Sequence, residues 1–152
     1  MKKLNKKGFT LVELLAVIVI LALLIVVVAN TALPAMNKAK MNSLATYAQR
    51  MQEKARENFI AEGRTGATAY TIKALTGSDN KQYKGYVVVT YDTSNNNNYV
   101  AYAYIIDYKN NYMVNGVSSI DNANVTTASS VTIFDSVPTT ISGINGSIVT
   151  VS

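Results

Sequence analysis

Glu13 is the residue whose placement in this chain most demands chemistry. It lies in a run of 21 residues, 9–29, in which only Thr10 and Glu13 are polar. A run of that length crosses a bilayer core as a helix. An ionised carboxylate inside it costs roughly 2.5–3.5 kcal/mol on insertion scales, so it calls for a dedicated partner. Four lysines, Lys2, Lys3, Lys6 and Lys7, precede the Gly8-Phe9 junction at which the run begins, and they hold the N-terminus on the cytoplasmic side. Other reactive chemistry is thin. The chain has no cysteine and no histidine, which excludes a thiolate or imidazole zinc site, a cysteine nucleophile and a histidine base. The remaining acids include scattered aspartates but no paired carboxylates at useful spacing, and no glycine-rich phosphate loop is present. Asp121 with Asn122 and Asn124 is too sparse for a calcium loop. The expectation is a protein without catalytic residues, cofactor or metal.

The stretch Lys6-Lys7-Gly8-Phe9-Thr10-Leu11-Val12-Glu13-Leu14-Leu15 resembles the prepilin signature of type IV pilins and their pseudopilin relatives. Residue types, order and spacing agree, and the resemblance extends over about residues 6–62. It implies that a membrane peptidase cuts between Gly8 and Phe9, removing a leader of residues 1–8, and then N-methylates Phe9. The family's glutamate falls on Glu13. Cleavage creates a positive amine four residues from that carboxylate. Three fates are open to Glu13: a neutral acid in lipid, a pair with its own chain's Phe9 amine, or a pair with a neighbouring subunit's. Family precedent favours the last, where one charge pair in an apolar core sets axial register.

The resemblance implies an α+β type IV pilin fold, a long N-terminal helix over about 9–62 packed on an antiparallel sheet. It also implies partners: other copies of the chain in a homopolymer, a prepilin peptidase/methyltransferase, an assembly ATPase with its membrane platform, and membrane lipid before assembly. The subunit would be a single-pass membrane protein first and an extracellular pilus subunit afterwards, serving adhesion, twitching motility or biofilm formation. Two alternatives carry other functions: a pseudopilin of a secretion or DNA-uptake system, and a membrane-anchored binding domain that never polymerises. An ordinary secreted protein cut after Ala29 is the bland reading, but its apolar core would be longer than the usual 7–15 residues and would contain Glu13.

Charge bears on these choices. The chain has 14 basic and 9 acidic side chains, yet the four leader lysines leave with residues 1–8, so the mature side chains sum to +1. That is too little clustered charge for a nucleic-acid reading, and none is expected for a major pilin. The absence of cysteine also rules out the C-terminal disulfide of many Gram-negative pilins and leans toward a Gram-positive, clostridial source.

The elements that must position these residues follow from periodicity. Residues 9–34 are the membrane and filament-core half of the helix. Met41, Leu44, Ala48, Met51, Ala55 and Phe59 then recur at intervals of three and four, continuing the helix through 35–62 until Gly63. A helix over 9–62 would be about 80 Å long at roughly 1.5 Å per residue. Pro34 leaves the Asn30 carbonyl without its helical donor, so a bend or local weakness is expected at Asn30 to Pro34. Many relatives place a proline near Asn30 and a glycine near Ala22, a departure that bears on any unwinding of the helix on assembly.

The globular head covers 35–152. Beyond its helix, residues 63–84 read as a polar αβ-loop with one semi-apolar patch at 70–75. Residues 85–117 read as a β-meander with turns at 92–98 and 109–111. In its central strand Ala101, Ala103 and Ile105 share one face, small enough for a helix to approach, so they are expected over the Met41–Phe59 stripe. Tyr102 and Tyr104 are expected on the other face, outward or under a loop. Residues 118–152 form a β-rich C-terminal region with strands at 131–134 and 147–151, the second closing the sheet edge or pairing with the first.

Overall fold

A computed structural model describes residues 10–92, 98–128, 134, 136–137, 139–142 and 148–150. The chain separates into two compact units, one ending at Lys38 and one spanning Ala39–Ser152. A single helix, α1 (Leu11–Ala61), supplies residues to both. It ends where Gly63 takes the left-handed φ of 62°.

In the first unit the helix has no cover of its own. The large apolar side chains from Leu11 to Met36 are 49–80% exposed. Burying a side chain of this size is worth about 1.5–3 kcal/mol. A surface so continuous requires lipid or other protein against it. Among the described residues α1 is the one helix long and apolar enough to cross a membrane.

The second unit is a helix on a sheet. Strands β1 (Thr68–Thr71), β2 (Tyr83–Asp92), β3 (Asn98–Asp107), β4 (Tyr112–Val117) and β5 (Thr126–Thr127) lie in the order β1-β2-β3-β4-β5. Every adjacent pair is antiparallel. Period-two patterning gives β2 and β3 two apolar faces. On one, Val87, Val89, Ala101, Ala103, Ile105 and Val114 form a single core with Leu44, Ala48, Met51, Ala55 and Phe59 of α1. Ala101 and Ala103 are fully buried in this core, so small side chains sit where the helix meets the sheet. This is the α+β arrangement of a type IV pilin.

The opposite face is covered as well. Tyr86 and Val88 cluster with Ala67, Ala69, Tyr104 and Val137. Ile106 and Met113 cluster with Phe134, Tyr104, Tyr108 and Ala128. Tyr104 is therefore on the far side from the helix, stacked on Tyr86 with ring centroids 4.9 Å apart.

Local chemistry departs from the sequence expectation in two places. The 63–84 stretch is not a plain connection, because its semi-apolar patch forms β1 and then a short helix α2 (Ile72–Thr76). Thr71 caps α2 through the Ala74 N–H, and Gly77 closes it at φ 74°. At the C-terminus, β7 (Ile148–Thr150) pairs with β6 (Thr140–Ser142) and, among the described residues, not with the edge of the five-stranded sheet. Thr140 to Ser142 has no apolar run to announce it. Of the expected strand at 131–134, only Phe134 is among the described residues, and it is buried on the outer face. Residues 93–97 of the expected turn, and residues 147 and 151 at the ends of the expected second strand, lie outside the described residues.

Candidate assembly site

The helix begins with a reciprocal cap. The Thr10 carbonyl accepts from the Leu14 N–H at 3.2 Å, which makes Thr10 the N-cap residue. Its hydroxyl oxygen accepts from the Glu13 N–H at 3.3 Å. In return, Glu13 Oε2 accepts from the Thr10 N–H at 2.9 Å and from the Thr10 hydroxyl at 3.1 Å. This is a capping box, in which two donors left over at the helix start are satisfied by two side chains. The positive end of the helix dipole also favours a carboxylate in the first turn. The Thr-x-x-Glu spacing of a capping box is present in the sequence at Thr10 and Glu13.

All of these contacts fall on one carboxylate oxygen. Oε1 of Glu13 has no hydrogen bond among the described residues. Among the described residues, Thr10 holds the carboxylate through Oε2. Gly8 and Phe9 lie outside the described residues.

Further along, α1 continues through Pro34 without interruption. The proline has no N–H, so the Asn30 carbonyl loses its helical donor. One turn earlier the Thr31 hydroxyl donates to the Val27 carbonyl at 3.1 Å. Such back-bonding competes with the helical ladder and often bends it. Thr31 and Pro34 therefore weaken the same two turns by separate routes.

In the head, a buried glutamine that sequence patterning missed ties α1 to the sheet. Gln52 lies on the buried face of the helix and its amide donates to the carbonyls of Ala101 at 2.7 Å, Val117 at 2.8 Å and Ser118 at 3.2 Å. These carbonyls sit where β4 peels from β3, at the register shift beside Ala103 and Tyr104. Gln49 adds a bond to the Ile120 carbonyl at 2.7 Å. Asp107 is fully buried and organises the β3–β4 turn, accepting from the N–H groups of Lys109 and Asn110 and from the side chains of Asn110 and Gln82. Asp121 and Asn124 form a second capping box around one 3₁₀ turn, so their polar atoms serve the backbone.

Burial raises several phenols. Desolvation, followed by the neighbouring Glu62, pushes Tyr70 up to about 12, and desolvation with Tyr104 pushes Tyr86 to about 12. Tyr47 and Tyr104 are raised too, mainly by desolvation. These tyrosines stay neutral at any ordinary pH and act as packing groups.

The prokaryotic N-terminal methylation motif matches residues 3–29 of the chain. The match spans the Gly8-Phe9 junction, the capping box and the whole of the 9–29 apolar run. The motif supports a type IV pilin-like or pseudopilin precursor, and it implies processing by a prepilin peptidase and assembly into pilus-like polymers. The exposed apolar helix fits membrane anchoring before that assembly. No curated protein matches the chain, and no solved structure matches it.

Proposed function

We propose that this protein is a non-enzymatic structural subunit of a type IV pilus, cut between Gly8 and Phe9, N-methylated on Phe9 and polymerised into a surface filament. The observation that carries the reading is the join between a methylation motif at 3–29 and a helix whose apolar side chains are exposed from Leu11 to Met36. Lipid covers that surface before assembly, and copies of the same helix cover it afterwards. Non-closing contacts between identical subunits generate a helical fibre, so one surface serves both states.

In this account Glu13 has two tasks. Thr10 holds one of its oxygens, and the other receives a Phe9 amine once the leader has gone. Pairing with the adjacent subunit's amine fixes axial register, because an unpaired buried charge costs several kcal/mol. The peptidase/methyltransferase, an assembly ATPase and its membrane platform are the partners. Adhesion, twitching or biofilm formation follows from display of the heads. The missing cysteines fit a Gram-positive, clostridial pilus.

Immunogold labelling of intact cells with antibody to the head separates this from its rivals. The proposal expects label along long surface fibres. Label confined to the envelope would support a pseudopilin instead. Function that persists when Gly8 processing is blocked would support a membrane-anchored domain that never polymerises.

A further inference from the structure

In the head half of α1, one stripe of side chains lies opposite the buried face. Ser43, Thr46, Arg50, Glu53, Glu57 and Ile60 follow one another at alternating intervals of three and four residues, and all six are exposed. Leu44, Ala48, Met51, Ala55 and Phe59 take the buried side of the same turns. An unbroken three-four alternation is the spacing of a seam that meets another helix. Side chains at the start of the stripe are small, and Ala39, Ser43 and Thr46 border a groove of about 370 Å³ that ends at Arg50.

The charges on the stripe are not paired within their own chain. Among the described residues the ion pairs are Arg64 with Glu62 and Lys73 with Asp79, and neither involves Arg50, Glu53 or Glu57. Glu53 and Glu57 stand four residues apart, where like charges repel across one helical turn. Arg50 precedes both acids, the less favourable order for pairing along a helix. Lys54 is engaged elsewhere, donating to the Leu75 carbonyl at 3.2 Å, and Arg56 is partly buried.

A shifted copy of the same stripe supplies the missing partners. A shift of four residues, about 6 Å at roughly 1.5 Å per residue, brings one copy's Arg50 level with position 54 of the next, between its Glu53 and Glu57. Counted along the chain, four residues also separate Phe9 from Glu13. The sense agrees as well: the copy whose Phe9 comes level with its neighbour's Glu13 is the copy whose Arg50 comes level with that neighbour's two acids. A partner of one sign of charge would satisfy Arg50 or the acids, and not both.

We infer, resting on the pilus-subunit reading, that the stripe from Ser43 to Ile60 docks on the same stripe of a second copy shifted by four residues. Arg50 of one copy then sits between Glu53 and Glu57 of the other. A contact made with a fixed shift leaves each end free to repeat it, so it extends into a fibre and does not close. Charge pairs of this kind fix register more than they add affinity.

The test uses the full chain in the cells that make it. The sequence has no cysteine, so any disulfide reports the introduced ones. Two differently tagged copies are co-expressed, one carrying R50C and the other E53C, and intact cells are oxidised with copper phenanthroline. The shift brings positions 50 and 53 of adjacent copies within one residue of level, whereas 50 and 50, or 53 and 53, stay four residues apart. Mixed dimers should exceed either like dimer by at least about fivefold, because cysteines whose Cα atoms lie more than about 7 Å apart do not bridge. A second pair, L21C with I25C, reports the same shift in the apolar half. Cross-linking of that pair without the mixed R50C–E53C dimer would overturn the inference and leave the pilus-subunit reading standing. No cross-linking of either pair would overturn both, and like dimers as abundant as mixed ones would overturn the shift. The charges are read from the filament sheared off cells. E53K/E57K should yield at least about tenfold less than the parent, and R50E/E53K/E57K should restore the yield. Full yield from the first variant, or a loss that the second does not restore, would overturn the pairing.

Discussion

The two tasks assigned to Glu13 can be separated by a pair of substitutions. Glu13→Gln keeps an amide oxygen that can accept from the Thr10 N–H, now held at 2.9 Å, and glutamine serves in capping boxes as glutamate does. It removes the charge. Glu13→Ala removes both. Loss of a cap costs about 0.5–2 kcal/mol, which a long helix covered by lipid tolerates. Loss of one partner from a buried ion pair costs about 3–5 kcal/mol, because the remaining amine is left uncompensated. At 1.4 kcal/mol per tenfold, 3 kcal/mol lowers the subunit association constant by roughly a hundredfold. Both variants should therefore be inserted and cleaved normally, accumulate in the membrane and yield little filament. The assay is the ratio of sheared filament to membrane pool by immunoblot, with the N-terminus of the pool checked by mass spectrometry. Wild-type filament from Glu13→Gln, with failure of Glu13→Ala, would refute the pairing argument and leave capping as the whole role of Glu13. Wild-type filament from both would remove Glu13 from assembly altogether.

Other perturbations test the head. Gln52→Leu leaves the Ala101 and Val117 carbonyls without their side-chain donor, and unsatisfied buried groups cost about 1–3 kcal/mol each, so thermal unfolding should show a loss of about 2–6 kcal/mol. Gly85→Ala should be at least as damaging, since a Cβ there would lie 2.0 Å from the Tyr104 carbonyl oxygen at a φ of 132°; destabilisation beyond about 2 kcal/mol is expected in denaturant titration. Alkaline pH should weaken the fold in a defined window. Tyr70 and Tyr86 are raised from 10.0 to about 12, so their contribution is complete below pH 10 and is lost as the pH climbs toward 12. Phenolate absorbance and near-UV circular dichroism should change together over that range, and stability should be insensitive to these groups at neutral pH.

Much of this was legible from residue spacing because the same spacing sets the packing. The Met41–Phe59 stripe and the Ala101, Ala103, Ile105 face each have the period of their element, and they meet in one core. Tyr104 was readable as belonging to the other face by the same alternation. Patterning fails where polar side chains do the work. Gln52 looks like a surface residue until the break in β4 pairing supplies carbonyls for it, and that break depends on a bulge with no hydrophobic signature. Thr68 to Thr76 is too short and too polar for its strand and helix to stand out, and they form because β1 finds β2. At the N-terminus the types and spacing announced the junction, while the oxygen-by-oxygen use of Glu13 needed the structure.

The most direct measurement is the N-terminal residue of the subunit in purified surface filaments, read by intact mass and peptide sequencing. The account predicts that this chain is the principal component and begins at N-methylated Phe9. A chain that begins at Asn30, or one that retains residues 1–8, would contradict it.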